Sequence, residues 1–300
     1  MAAPPLQAAC AWNTVSMRIW ICGVRGSSPT PGPAFDRYGG HTSCLAIARD
    51  GQPPSLIVDA GTGIRLASDL FGGSPGLFDG KPYDGAIVLG HLHWDHTQGL
   101  PFFAAGNSHG SKVDLYVPAQ GDTEAVLERF MSPPHFPISP RELMGSWSFH
   151  ALEPGPAQIG GFSVLALEIP HKGGRAFGYR ISDGRATIAY MSDHCPTNLG
   201  PGPAGLGEYH ETALALADEC DVLFHDAQYT DAELPARAAF GHASTGYAVG
   251  LAEAAKVRQL MLYHHDPART DDEIDAIVTA YKAAPVLVTA AVQGTVLDLP

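Results

Sequence analysis

The sequence lacks any apolar run that approaches the ~20 residues of a membrane-spanning helix, so we expect a soluble protein with no membrane partner. It is also poor in basic residues, with 18 Lys and Arg against 31 Asp and Glu and a formal net charge of −13. Because nucleic acids are bound through basic surfaces, this balance argues against stable nucleic-acid binding. A small anionic substrate is compatible with it, because a bound cation can supply local positive charge.

Cysteine is scarce as well. The five cysteines form no C-x-x-C pair and are odd in number, which favours free thiols in a reducing, cytoplasmic compartment. Residues 1–16 contain no basic residue and no apolar segment, so they do not resemble a signal peptide. We expect a disordered tail over residues 1–16, with Met17 as an alternative start, and a single domain over residues 17–300.

Hydrophobic residues make up 45% of the chain and charged residues 16%, which is typical of a folded globular protein. The 34 glycines and 25 prolines predict many loops, among them a connector at 72–82 and a proline-rich loop at 131–137 that contains His135. Strands and helices alternate in both halves, which indicates an α/β sandwich. The predicted strands are 17–21, 42–48, 56–58, 86–89, 113–117, 147–151, 162–169, 176–181, 187–191, 222–224, 260–263 and 286–290. The predicted helices are 122–130, 208–217, 244–257 and 270–282, the last with a Thr270–Glu273 capping box.

Four side chains of metal-ligand type follow the apolar strand 86–89 within six residues: His91, His93, Asp95 and His96. In an extended chain, residues two apart point the same way, so His91, His93 and Asp95 are expected to converge. His96 is out of phase and requires a turn, which would direct its imidazole, together with the Asp95 carboxylate, towards a second point nearby. Imidazoles and carboxylates together favour zinc, manganese or iron, and paired ions of this kind generate a hydroxide nucleophile at neutral pH.

This H-x-H-x-D-H pattern resembles the signature of the metallo-β-lactamase superfamily. The surrounding residues resemble the branch that contains tRNase Z and small cyclic-nucleotide or cyclic-phosphate phosphodiesterases. The resemblance covers roughly Met17 to the C-terminus. It implies a four-layer αββα sandwich with two divalent metal ions, zinc or alternatively manganese or iron, in a cleft at one edge of two sheets.

The resemblance also implies three further ligands at strand ends. His171 precedes the strand that contains Gly178-Tyr179-Arg180-Ile181, and His264 ends the strand 260–263. Asp193 stands where relatives have a bridging aspartate, although the neighbours here are Ser192 and His194 rather than the usual Gly or Thr and Thr. His194 and His265 are competing neighbours. The implied set places one ion on His91, His93 and His171 and the other on Asp95, His96 and His264, with Asp193 bridging them.

Three more residues have expected roles beside the metals. Asp59 ends a strand in Asp59-Ala60-Gly61-Thr62-Gly63, where a carboxylate would orient a ligand imidazole, although a turn aspartate is the alternative. His242, in Gly241-His242-Ala243-Ser244-Thr245, resembles the H-S-T motif of the branch with one residue inserted. There the histidine faces the scissile phosphate, where it can protonate the leaving oxygen or hold the phosphate oxyanion. Asp226 would pair with His242 and raise its pKa.

The resemblance therefore predicts a two-metal hydrolase of a small or cyclic phosphodiester, with Asp95 orienting the attacking hydroxide and His242 acting as the acid. Hydrolysis of a thioester, lactone or β-lactam is an alternative on the same fold, and a non-catalytic metal-binding protein is a third interpretation. A tRNA 3′-processing enzyme would need a protruding arm, whereas eleven residues separate Ile181 from Asp193, the usual place of that arm. A homodimer is compatible with the sequence.

Overall fold

The computed structural model describes residues 15–72 and 80–300. Most of the predicted tail, residues 1–14, and the centre of the predicted connector, residues 73–79, lie outside the described residues. Within the described ranges the chain forms fourteen strands and seven α-helices. The strands are β1 Met17–Gly23, β2 Cys44–Arg49, β3 Leu56–Val58, β4 Asp84–Val88, β5 Lys112–Pro118, β6 Ser146–Leu152, β7 Gly155–Ile159, β8 Phe162–Ile169, β9 Ala176–Ser182, β10 Thr187–Met191, β11 Val222–Asp226, β12 Gln259–Tyr263, β13 Leu287–Ala290 and β14 Val296–Leu299. The helices are α1 Ile64–Asp69, α2 Trp94–Thr97, α3 Thr123–Glu128, α4 Glu211–Ala217, α5 Leu234–Arg237, α6 Thr245–Ala254 and α7 Asp271–Ala280.

The strands form two seven-stranded mixed sheets. The first has the order β14-β1-β2-β3-β4-β5-β6, and the second has the order β13-β12-β11-β10-β9-β8-β7. In the first sheet β3 to β6 run parallel, and in the second sheet β10 to β13 run parallel. Parallel strands end at a common edge of their sheet, so the loops after β3, β4, β10, β11 and β12 can supply side chains to one place.

Three apolar clusters show why the sheets and helices form four layers. The largest lies between the two sheets and contains side chains from both, such as Ile47 and Val88 of the first and Tyr179 and Phe224 of the second. A second cluster packs α4 and α6 on the outer face of the second sheet, and a third packs α1 on the outer face of the first. Burial of these faces stabilises the arrangement, because each sheet has two apolar sides. The predicted αββα sandwich is confirmed.

Local signals set several element boundaries. The Thr270–Glu273 capping box forms as predicted and starts α7, while the Ser244 hydroxyl accepts the backbone N–H of Tyr247 and caps α6. The helix predicted from residue 208 begins later, because His210 is the N-cap of α4. Two edge strands, β7 and β14, were not predicted, and β7 carries Gly-Pro, which suits an edge but weakens the strand signal. Among the described helices, none is long and apolar enough to cross a membrane.

Candidate metal centre and active site

The loop after β4 turns earlier than an extended chain would. His93 has extended backbone angles and is the N-cap of the short helix α2, which contains Asp95 and His96. Asp95 therefore does not converge with His91 and His93 as an extended chain would require, but lies with His96 at a second point, as the expected turn implies. Because the chain becomes helical after His93, the Asp95 carboxylate moves away from the first two histidines and lies beside His96 instead.

The first cluster of ligand atoms consists of His91, His93, His171 and Asp193, all within 4.8 Å of one another. His171 comes from the loop between β8 and β9, and its Nδ1–H donates to the Gly241 carbonyl at 2.8 Å. Its Nε2 atom is left unprotonated and lies 3.2 Å from Nδ1 of His93. The Asp193 Oδ1 atom lies 3.7 Å from His91 Nε2 and 3.6 Å from His171 Nε2.

The second cluster consists of Asp95, His96, Asp193 and His264, also within 4.8 Å of one another. Nε2 of His96 lies 3.2 Å from Asp95 Oδ2 and 2.8 Å from Asp193 Oδ2. Nε2 of His264, which directly follows β12, lies 3.1 Å and 3.0 Å from the same two oxygens. The seven residues of the predicted ligand set therefore lie together in two groups, and the groups share Asp193.

Asp193 faces the first group with Oδ1 and the second group with Oδ2, as a bridging carboxylate would. Its backbone φ is +55°, and His264 and Asp59 have φ values of +58° and +61°. Left-handed conformations in residues other than glycine cost on the order of 1–3 kcal/mol each. These three residues directly follow or nearly follow strand ends, so the strain is concentrated where the chain must direct polar side chains into the cleft.

The donor set fits divalent cations. Nε2 atoms of His91 and His96 are buried and make no hydrogen bond within the described residues, although both face carboxylate oxygens. Burial lowers the pKa of His91 well below its usual value, which favours the neutral imidazole that a metal needs. Burial opposes ionisation of Asp193, but the surrounding histidines hold the pKa of its carboxyl well below the usual range. Burial would lower the pKa of His96, but the carboxylates of Asp193, Asp95 and Asp59 outweigh it and raise that pKa well above the usual value, so a bound cation would take the place of a proton there. Imidazole nitrogens and ionised carboxylates around two shared points are a suitable environment for two divalent ions.

Asp59 lies behind the second cluster at the end of β3. Its Oδ2 atom is 2.7 Å from His96 Nδ1 and accepts the Tyr190 hydroxyl at 2.5 Å, while Oδ1 accepts the Gly90 backbone N–H at 2.6 Å. The contact with His96 has the geometry expected of a carboxylate that orients a ligand imidazole. The sequence did not point to Tyr190, whose only signal is a hydroxyl in the middle of the otherwise apolar strand β10.

The predicted pair of His242 and Asp226 is present beside the second cluster, and one ligand atom of each lies within 4.8 Å of the others and of His264. His242 Nδ1 lies 2.9 Å from Asp226 Oδ2, and the imidazole of His242 lies 5.1 Å from that of His264 between ring centroids. Burial alone would lower the pKa of His242, but the carboxylate of Asp226 prevails and raises it to about 9. The insertion of Ala243 therefore does not remove His242 from the cleft.

The other histidines of these loops face elsewhere. His194 is buried in a hydrogen-bonded chain between His225 and His210, at 2.9 and 2.8 Å, and belongs to neither ligand group. The Nε2 atom of His265 donates to the Ala291 carbonyl at 3.1 Å, on the side away from the clusters. His135 is exposed on the proline-rich loop, close to Trp94 in a neighbouring cavity.

The two clusters open into a cleft of about 790 Å³. Its walls include Trp94, Asp95, Tyr229, Arg237, Phe240 and His242. The Ser27 backbone N–H donates to Asp95 Oδ2 at 2.7 Å, a contact that could not be predicted because Ser27 lies in a turn before β2. Among these groups, Asp95 is ionised, since His96 and His264 overcome the effect of burial and hold the pKa of its carboxyl well below the usual value.

Comparison with known proteins agrees with this geometry. A family model described as beta-lactamase superfamily domain matches residues 55–265. Ribonuclease Z of Salinibacter ruber is 26% identical over 296 residues, covering 81% of this chain and 87% of that protein. The metallo-beta-lactamase fold protein YhfI of Bacillus subtilis superposes with a TM-score of 0.66 at 20% identity, covering 95% of this chain and 100% of that chain. A diphosphatase from the PhnP family superposes with a TM-score of 0.65 at 18% identity, covering 95% and 98%. The chain belongs to the beta-lactamase superfamily and is a metal-dependent hydrolase, similar in sequence to ribonuclease Z.

Proposed function

We propose that the chain hydrolyses a small phosphodiester, with two divalent cations, zinc being the first candidate, held by His91, His93 and His171 on one side and by Asp95, His96 and His264 on the other. Asp193 is shared between the two groups. When bound, such cations lower the pKa of water and offset the negative charge of a phosphate. The similarity to ribonuclease Z supports phosphodiester chemistry.

The observation that carries the proposal is the placement of His242 between Asp226 and the shared Asp193. Its Nδ1 atom lies 2.9 Å from Asp226 Oδ2 and 3.8 Å from Asp193 Oδ1, and the residue lines the cleft. Asp226 accepts a hydrogen bond from the protonated Nδ1 atom, so the other ring nitrogen, Nε2, can donate a proton to the departing oxygen. Asp95, which also lines the cleft, would accept a hydrogen bond from the attacking water and orient it.

This assignment predicts different experimental results for the metal ligands and for the proposed acid, His242. Asp193→Ala or His93→Ala should lose bound metal and turnover together. His242→Ala should keep its metal and slow the hydrolysis of a diester with an alkoxide leaving group by about 10²–10⁴-fold. The loss should be smaller with bis-p-nitrophenyl phosphate, because p-nitrophenolate leaves without protonation. His150→Ala, at an exposed histidine paired with Asp114, serves as the control. Loss of metal from the His242 variant would contradict the role given to this residue.

Two other functions of the fold are less well supported. For tRNA 3′ processing, β9 and β10 are joined tightly, with Ser182 paired to Thr187, so the chain has no protruding arm at that place. For thioester, lactone or β-lactam hydrolysis, the His242–Asp226 pair has no evident task. Assays with bis-p-nitrophenyl phosphate, a precursor tRNA and nitrocefin distinguish the three, and turnover of only the third substrate would overturn the proposal.

A further inference from the structure

An aromatic cavity lies next to the proposed metal centre. Its volume is about 450 Å³, within the range of ~300–1,000 Å³ typical of small-molecule pockets. Nine residues line it, and the six that the argument uses are called here the aromatic cavity: Trp94, Phe102, Arg129, Phe130, Met131 and Phe136. Phe102 and Phe136 meet edge to face, with ring centroids 5.9 Å apart.

Trp94 connects this cavity to the reaction site. It directly follows His93 in the chain and lines the aromatic cavity, the main cleft and a third, polar cavity that reaches His91 and His93. Its side chain is nevertheless 73% exposed. An indole placed in this way offers a large apolar face to a ligand, since burial of aromatic surface is strongly favourable.

Arg129 supplies an unused positive charge at the same place. It is exposed and lines both the aromatic cavity and the polar cavity beside His91. Within residues 15–72 and 80–300 its side chain makes neither an ion pair nor a hydrogen bond. The other two arginines that line these spaces are engaged, Arg175 by Glu168 and Arg237 by Asp266. In a chain with a formal net charge of −13, an arginine without an acidic partner beside a cleft is suited to bind an anion.

We infer that the aromatic cavity binds the non-reacting part of the substrate, as a planar ring stacked on Trp94 with an adjacent anionic group held by Arg129. This is the combination of groups that a nucleotide presents. The inference rests on the proposed function, because it places the scissile diester at the metal centre and the nucleotide in the aromatic cavity. The substrate class is then a short phosphodiester with a nucleotide on one side, and Trp94 and Arg129 determine its specificity.

Calorimetric titration of the metal-loaded chain tests the cavity without reference to turnover. Adenosine 5′-monophosphate should bind more tightly than ribose 5-phosphate, which has the phosphate but no base, and more tightly than adenosine. Trp94→Ala should weaken binding of adenosine 5′-monophosphate by about 5- to 150-fold and leave that of ribose 5-phosphate unchanged, while Trp94→Phe should retain most of the affinity. Arg129→Gln should weaken adenosine 5′-monophosphate about 10-fold and leave adenosine unchanged. Arg258→Gln, at an exposed arginine paired with Asp221, is the matched control.

The outcomes separate the two proposals. Equal binding of adenosine 5′-monophosphate and ribose 5-phosphate would mean that the phosphate alone is recognised at the metals and would overturn the inference, as would unchanged affinity in either variant. Elemental analysis of each variant checks that the metal centre is intact. If the titrations behave as expected and no phosphodiester is hydrolysed, the proposed function fails and the nucleotide cavity stands.

Discussion

The Oδ2 atom of Asp59 lies 2.7 Å from Nδ1 of His96, on the side of the imidazole opposite to the proposed metal position. Asp59 also accepts hydrogen bonds from Tyr190 and Gly90, so its carboxylate is held from three directions. A ring fixed in this way directs Nε2 towards Asp95 and Asp193. The two residues are 37 positions apart in the chain. The end of β3 therefore orients a ligand that the loop after β4 supplies.

Asp59→Ala should therefore weaken binding of the ion held by His96 by about 10–100-fold, because the imidazole loses the group that sets its tautomer and orientation. Equilibrium dialysis followed by elemental analysis measures this on protein whose circular dichroism is unchanged. Asp298→Asn, which removes an exposed ion pair with Arg18, should retain both ions. Full retention of both ions by the Asp59 variant would show that the contact does not orient His96.

Among the seven proposed ligands, Asp193 should be the one whose replacement affects the binding of both ions. Because its two oxygens face different groups, Asp193→Ala should lower the metal content from two ions towards none. His264→Ala should remove only the ion of the second group, since His264 faces Asp95 and Asp193 but none of the first-group histidines. Metal-to-protein ratios from elemental analysis decide the matter. Loss of one ion in both variants would argue against a bridging role for Asp193.

The pH dependence of turnover should reveal the pairing of His242 with Asp226. The acid must be protonated, so activity is lost as the pH rises through the pKa of His242, which Asp226 raises to about 9 against the effect of burial. Asp226→Asn removes that negative charge and lowers the pKa. The alkaline limb of kcat should then move to lower pH by about 1–3 pH units. Bound cations lower the pKa in both proteins, so the difference between the two profiles is the measured quantity. Coincident profiles would exclude His242 as the acid.

The sequence predicts much of this fold because β3 and β10 are nearly continuous apolar runs, while β8 alternates between buried and exposed residues. Strands β3, β8 and β10 have the predicted bounds, and each pairs on both sides within a sheet. Buried strands need no alternation of polar residues, so their ends are clear. The edge strands are less clear, as β7 and β14 have half-exposed sequences that carry little apolar signal.

In the candidate site, too, some residues could be predicted from the sequence and others could not. Side chains at strand ends, such as His171 and Asp193, could be predicted from their position in the chain together with the resemblance. The orientation of Asp95 could not, because it depends on the helical turn that begins after His93. Contacts made across the fold, such as that of Ser27 with Asp95, join residues 68 positions apart and leave no local pattern.

Gly26 packs directly against the His264 ring. A substitution at Gly26 therefore tests the second ligand group through a single residue. A Cβ atom at this position would lie 2.5 Å from Cε1 and Nδ1 of the His264 ring and 2.8 Å from Oε1 of Gln228. Because real Cβ atoms do not approach so closely, Gly26→Ala should displace the imidazole of His264 away from Asp95 and Asp193. Displacement of a ligand by about 1 Å can cost about 10²-fold in activity, and we expect a loss of that order together with weaker binding of one ion.

The control for Gly26→Ala is a substitution that also introduces a close Cβ contact, but at a place away from the proposed ligands. At Gly250, within α6, an added Cβ would lie 1.8 Å from the Tyr209 hydroxyl, and neither residue belongs to a ligand group. Gly250→Ala should lower the free energy of unfolding, as overpacking does, while the metal content stays at the wild-type value. Thermal unfolding and elemental analysis of both variants separate crowding in general from displacement of His264. If both variants lose metal to the same extent, the close contact of Gly26 with His264 has no special role in forming the site.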